Sequence, residues 1–180
     1  MYGLDRRPEK TLEFLVLGLG NEICSDDGVG PFVARWLSEN YREPCGARFV
    51  DGGTLGLSLL PLLESARDVL VVDAVRADAA PGTIVLLEGP DVASALAPRL
   101  SPHQVGVADL LDALAWSDAP PERIVVVGVV PATIELGLAR SPAVEAALPS
   151  LLAATVRQAS ALGHELPLRQ TDGAVGLLHG

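Results

Sequence analysis

The chain is predicted to be an α/β protein, a three-layer α/β/α sandwich built on a mostly parallel sheet. Three observations predict this. Short continuous aliphatic runs at residues 14–18, 69–73 and 124–130 have the length and composition of strands buried on both faces. Stretches with helical apolar spacing lie between them. No repeat, linker or low-complexity segment divides the 180 residues, so a single domain spanning 1–180 is expected, with its core over about 13–162.

Residues 1–12 are polar and charged, and Phe14-Leu15-Val16-Leu17-Gly18 then forms the first strand. Val29, Phe32, Val33, Trp36 and Leu37 recur at i, i+3, i+4, i+7 and i+8 and predict the first helix, with Pro31 tolerated in its opening turn. Residues 48–50 read as a second strand ending at Asp51-Gly52-Gly53-Thr54, and 57–65 as a leucine-rich helix with an early Pro61. Val69-Leu70-Val71-Val72-Asp73 is a central strand that delivers an acid to its carboxyl end. Pro81-Gly82-Thr83 and the strand at 84–87 follow too soon for a helical crossover. A parallel return needs about a dozen residues, so this strand is expected to run antiparallel. A helix over 104–115, a last buried strand over 124–130 and a long helix over 141–162 complete the pattern, with Ser141-Pro142 as cap and first turn. Beyond Gly163 no periodicity persists, and residues 163–180 are expected to form a flexible tail.

Composition narrows the function. Hydrophobic residues make up 49% of the chain and aromatics only 4%, so the interior is expected to be aliphatic. Apolar stretches fall far short of the roughly 20 residues that span a bilayer. The charged N-terminus carries no apolar signal region, and a cytoplasmic protein is expected. A net charge of −10 argues against nucleic acid and anionic membrane as partners. Cys24 and Cys45 form no CxxC pair, which argues against a disulfide framework or zinc knuckle.

The chemistry concentrates in three residues. His103 is the only histidine ahead of the C-terminal segment, and Asp27 and Asp73 each follow a predicted buried strand. Neighbouring parallel strands would bring both carboxylates to one edge, where ligands bind in open α/β sheets. Two carboxylates and an imidazole suit a transition metal better than magnesium. A dinucleotide site fails, because the third glycine of G-x-G-x-x-G would fall on Ile23 and the loop carries Asp26 and Asp27 instead of free donors. A magnesium phosphoryl-transfer site lacks its lysine, since Lys10 precedes the first strand and lies apart from the acids. Simpler roles stay open for each residue alone: Asp26 or Asp27 as a cap of the first helix, Asp73 in an Asx turn, His103 as a loop residue.

The run from Leu17 through Gly18-Leu19-Gly20-Asn21-Glu22 and Ser25-Asp26-Asp27-Gly28-Val29-Gly30 resembles the opening motif of the nickel-iron hydrogenase maturation endopeptidases. The resemblance continues through Asp51-Gly52-Gly53-Thr54, Val72-Asp73-Ala74, Pro81-Gly82-Thr83, Ser101-Pro102-His103-Gln104 and Val127-Gly128-Val129-Val130-Pro131, over roughly residues 14–155. It implies a mixed five-stranded sheet in order 2-1-3-5-4 with strand four antiparallel. It also implies an endopeptidase that removes a C-terminal extension from the hydrogenase large-subunit precursor once nickel is inserted. Asp27, Asp73 and His103 match the family's metal-binding trio, Asp27 standing where many members carry Glu. The trio would recognise substrate-borne nickel, and other divalent metals are expected to fit the same donors. Asp51, Gly52, Gly53 and Thr54 are candidates for substrate docking, with a plain turn as the equal alternative. A monomer is expected. The nucleophile is left open, including aspartyl chemistry with a proton shared between carboxylates. A non-cleaving nickel-site chaperone and a small-molecule metal hydrolase on the same fold are the alternatives.

Overall fold

The computed structural model describes residues 10–89, 92, 110 and 113–169. Its centre is a five-stranded sheet of β1 (Leu12–Leu19), β2 (Ala47–Gly53), β3 (Ala66–Ala74), β4 (Ile84–Glu88) and β5 (Arg123–Val129), in the order β2-β1-β3-β5-β4. β2, β1, β3 and β5 are parallel neighbours, and β4 runs antiparallel to β5. Both the sheet order and the reversed fourth strand agree with expectation. Among the described residues, α1 (Val29–Asn40), α2 (Leu60–Ser65) and α3 (Pro142–Ala161) flank the sheet. Of the helix expected over 104–115, residues 110 and 113–115 are helical, and the rest lies outside the described residues.

The alternation of side chains along each strand divides the core in two. Phe14, Val16, Leu70, Val72, Val125 and Val127 point to one face, where Val29, Val33 and Leu37 of α1 and Val144, Leu148 and Leu151 of α3 cover them. Leu15, Leu17, Val69, Val71 and Val126 point to the other, under Leu59 and Leu63 and beside Leu110 and Leu114. These strands read as unbroken apolar runs because both faces are packed. Ser141 caps α3 as its sequence predicts, its Oγ accepting from Val144 N at 3.3 Å with Pro142 in the first turn. Among the described residues no helix is long and apolar enough to cross a membrane.

The first turn of α1 is pressed onto the sheet. A Cβ on Gly30 would lie 2.2 Å from Leu19 O and 2.4 Å from Val72 O, so only glycine lets the helix start directly over the ends of β1 and β3. This contact fixes where the loop between β1 and α1 must run.

The amino end of the sheet is closed by polar clamps. Lys10 Nζ donates to the carbonyls of Glu64, Ala119 and Pro120, tying the start of β1 to the ends of two other segments. Asp68, buried at the start of β3, accepts from Arg123 Nε at 2.7 Å and lies 2.8 Å from His164 Nε2. The His164 ring stacks on Phe14 with centroids 4.3 Å apart and planes 8° from parallel. The stretch after Gly163, expected to be flexible, is therefore held as far as Arg169. Pro167 O accepts from Arg42 N at 2.8 Å, Leu168 bridges Tyr41, and Arg169 N donates to Asn40 O at 2.8 Å. Isolated long-range backbone and side-chain contacts hold this strap, and they leave no periodic signal in the sequence.

Burial pushes the Asp68 carboxyl up, but the hydrogen bonds from Arg123 and His164 outweigh it and hold the carboxyl below its ordinary range. A carboxyl depressed by folding adds stability that is complete above its unfolded value, about pH 4, and is lost as pH falls through the lower folded value. Asp68→Asn should cost roughly 3 kcal/mol at pH 7, the lower end for breaking a buried pair, because Arg123 keeps 51% of its side chain in solvent. Denaturant titrations of both proteins between pH 7 and pH 3 should show that difference shrinking below about pH 4.

Candidate functional site

The chain leaves β1 toward β2 on one side and enters β3 on the other, so the carboxyl ends of β1 and β3 flank the point where strand order reverses. In open α/β sheets that crevice binds ligands. Asp27 sits in the 3-10 turn Ser25–Gly28 just beyond β1, and Asp73 is the penultimate residue of β3. Both side chains are buried, and the turn bearing Asp27 contacts β3. The elements carrying the two predicted carboxylates thus meet at one edge. His103 lies outside the described residues, so the full trio is not visible. Among the described residues, no group of three or more His, Cys, Asp or Glu could hold a metal ion.

Local geometry explains how the first loop presents its acids. Gly20 has φ +131°, and a Cβ there would meet Asp27 O at 1.8 Å, so the loop folds back on itself only with glycine at this position. Asp27 Oδ2 accepts from Asn21 N at 2.8 Å, which orients one carboxylate oxygen across the loop. Asp73 Oδ1 accepts from Ala74 N at 2.7 Å. Neither Asp26 nor Asp27 caps α1, contrary to the simpler reading: the N-cap is Gly28, with no side-chain cap bond. The 3-10 turn carries the acids one turn too early to reach the free amides of the helix.

Asp26 turns the other way and performs a separate task. Its side chain is 0% exposed. Oδ2 accepts from Ala132 N at 2.8 Å, Thr133 N at 3.1 Å and Ser141 Oγ at 2.9 Å, while Oδ1 accepts from Ser141 N at 2.7 Å. One carboxylate therefore gathers both ends of the 132–141 segment, from the exit of β5 to the cap of α3. The strand pairing beside it reinforces the junction. Ser25 N donates to Gly137 O at 2.6 Å, Gly137 N to Ile23 O at 2.9 Å and Ser25 Oγ to Glu135 O at 2.9 Å. Ser25 adopts φ +51°, a left-handed conformation that costs a non-glycine residue of order 1 kcal/mol and that these bonds maintain. Sequence reading gave Asp26 only a capping role, because its partners lie more than a hundred residues away and no local pattern announces them.

The Asp51–Thr54 turn has structural duties. Asp51 pairs with Arg35 Nη1 at 2.7 Å, and the same guanidinium reaches Glu22, so α1 clips the β2 turn to the first loop. Asp51 Oδ1 also accepts from Gly53 N at 3.1 Å. Gly52 packs closely against Leu17, Leu19 and Leu59, whereas Thr54 is exposed. Burial pushes down on the Lys10 ammonium more than Glu122 and Glu64 push it up. Lys10 sits at the amino end of the sheet, remote from both acids, and supplies no phosphoryl clamp.

Two cavities differ in relevance. The larger, about 670 Å³, is lined at the start of β5 by Arg123, Val125, Leu114 and Leu162, at the end of the sheet away from the acids. The smaller, about 470 Å³, lies between residues 76–81 and 130–135, beside the carboxyl ends of β3 and β5. It shares its wall with the segment that Asp26 holds. Size alone would favour the first cavity. The chemistry favours the second, because the buried carboxylates stand at that end.

Asp26→Asn should replace two acceptor oxygens by one and turn an amide NH₂ toward donors. The expected loss is roughly 2–3 kcal/mol, the scale of hydrogen bonds to a charged group. Thermal unfolding should show a midpoint several degrees below wild type, and an unchanged midpoint would contradict the role given to this carboxylate.

The model of the hydrogenase maturation protease family, HycI, matches residues 31–158, a span that contains Asp73 and His103 and begins just after Asp27. The Hydrogenase 2 maturation protease of Escherichia coli strain K12 is 34% identical over 148 residues, covering 79% of this chain and 90% of that protein. The hydrogenase expression/formation protein HupD of Rhodobacter capsulatus is 35% identical over 162 residues, covering 89% of this chain and 76% of that protein. Among solved structures, the hydrogenase maturating endopeptidase HybD from E. coli superposes with a TM-score of 0.81 at 32% identity, over 88% of this chain and 98% of that one. With more than half of its length matched by the family model and its fold shared across nearly all of a solved member, this chain belongs to the hydrogenase maturation proteases.

Proposed function

We propose that the protein is the endopeptidase that removes the C-terminal extension of a nickel-iron hydrogenase large-subunit precursor after nickel insertion. Asp27, Asp73 and His103 would bind the nickel carried by that precursor. The observation that carries this reading is the pair of buried carboxylates, Asp27 in the turn after β1 and Asp73 at the end of the adjacent parallel β3, at the sheet's switch point, in a chain of this family.

Two carboxylates and one neutral imidazole leave positions open on a metal that the substrate already holds in part. The ion then acts as a bridge: it adds binding energy only when the precursor is loaded, and it fixes the scissile segment beside the protease. Asp27 is shorter than glutamate, so the Asn21 amide that orients its carboxylate matters for reach. The cavity between residues 76–81 and 130–135 is bounded by loops and lies beside the carboxyl ends of β3 and β5, where a substrate tail would enter. Whether the carboxylates share a proton in aspartyl fashion or position water on the metal is a choice between two mechanisms with the same residues. The same reading has the enzyme act as a cytoplasmic monomer on a protein partner. A net charge of −10 supports a protein partner over nucleic acid or an anionic membrane.

Nickel-loaded precursor incubated with the protein should yield a product shortened at its C-terminus, read by intact mass. Precursor stripped of nickel should remain uncut, and equal cleavage of both forms would remove nickel from the recognition step. Binding of nickel-loaded precursor without any mass change would identify a chaperone. Asp73→Asn should slow processing about 100-fold, the scale of a misplaced reacting group, while leaving the protein folded. Wild-type rates in that variant would take Asp73 out of the site.

A further inference from the structure

Three exposed apolar side chains stand on the segments that frame the site. Leu136 and Leu138 are 81% and 82% exposed, and Ile23 is 53% exposed. Single exposed leucines are ordinary on a protein surface, whereas a contiguous apolar group marks a place where something binds. The backbone brings these three together. Gly137, between the two leucines, bridges Cys24 and exchanges hydrogen bonds with Ile23 and Ser25. The arrangement is built rather than loose, because the fully buried Asp26 ties down both ends of the leucine-bearing segment.

The position of this group points to its occupant. Ile23 precedes Asp27 by four residues in one loop, and the segment carrying Leu136 continues from residues 130–135, which line the cavity beside β3 and β5. Anything that covers the leucines therefore lies next to that cavity and to the loop carrying Asp27. None of the three side chains lines the cavity, so a molecule confined to it leaves them uncovered, and a second copy of the chain seated on them would obstruct a tail entering it. A folded protein whose tail enters the site would cover them.

We propose that Ile23, Leu136 and Leu138 form an apolar docking shelf, held in place by Asp26, for the folded body of the precursor whose tail is cut. The inference rests on the proposed processing activity and adds where the rest of the substrate sits. It assigns part of substrate affinity to residues that touch neither the metal donors nor the scissile bond.

The test is a Leu136→Ser, Leu138→Ser double variant assayed on nickel-loaded precursor over a range of concentrations. Since both side chains are exposed, its melting midpoint should match wild type. KM should rise about 10-fold while kcat stays within about twofold, as expected for binding that ground state and transition state share. The control is Trp116→Ser, 90% exposed beside the Ser117 to Glu64 contact at the amino end of the sheet, and its kinetics should be unchanged. An unchanged KM in the double variant overturns the shelf while leaving the processing activity intact. So does a loss confined to kcat, or an equal rise in KM for Trp116→Ser. A wild-type dimer that the double variant dissociates, with KM unchanged, overturns it in favour of self-association. Absence of processing by the wild-type protein removes both the shelf and the function on which it rests.

Discussion

The architecture around the site depends on one buried carboxylate. Asp26 is shielded from water and accepts four hydrogen bonds from the 132–141 segment. A charge in that position persists only because donors surround it; without them its desolvation would cost several kcal/mol. The arrangement couples three parts of the chain that share no sequence neighbourhood: the loop after β1, the exit from β5 and the first turn of α3. Asp27 follows directly, so its placement inherits the rigidity of this junction. The strained backbone at Ser25 persists for the same reason.

The two ends of the sheet use carboxylates in contrasting ways. At the amino end, Asp68 is matched by Arg123 and His164 and serves architecture, closing the C-terminal strap over Phe14. At the carboxyl end, Asp27 and Asp73 accept from the backbone amides of Asn21 and Ala74, bonds that orient carboxylate oxygens toward the switch point. Parallel strands direct all their carboxyl ends to the same edge, so residues that terminate different strands converge there without any local sequence relation.

Much of this was legible in the residues. Unbroken aliphatic runs identified β1, β3 and β5, because a strand buried on both faces has no polar side to show. The short interval before residues 84–87 was enough to reverse β4, since a parallel crossover needs more chain. Ser141 and Pro142 marked the start of α3 correctly. Other features were not legible. The reading of Asp26 or Asp27 as a helix cap failed because a 3-10 turn intervenes before α1. Residues 164–169 looked unstructured because their anchors, His164 on Phe14 and Asp68 and Arg169 on Asn40, are isolated long-range contacts without period. The pairing of Asp51 with Arg35 of α1 was equally invisible, because a turn and a helix sixteen residues apart share no local pattern.

The sequence by itself determined the layered α/β class, the succession of strands and helices, and the placement of acids at strand ends. All of these follow from local periodicity and connection length. Only the tertiary structure decided which neighbouring acid looks inward to organise the fold and which stands at the switch point, because that choice is made by donors supplied from residues 132–141. Adjacent aspartates are chemically identical in a sequence. They become different groups only when a distant segment surrounds one of them with N–H and O–H donors.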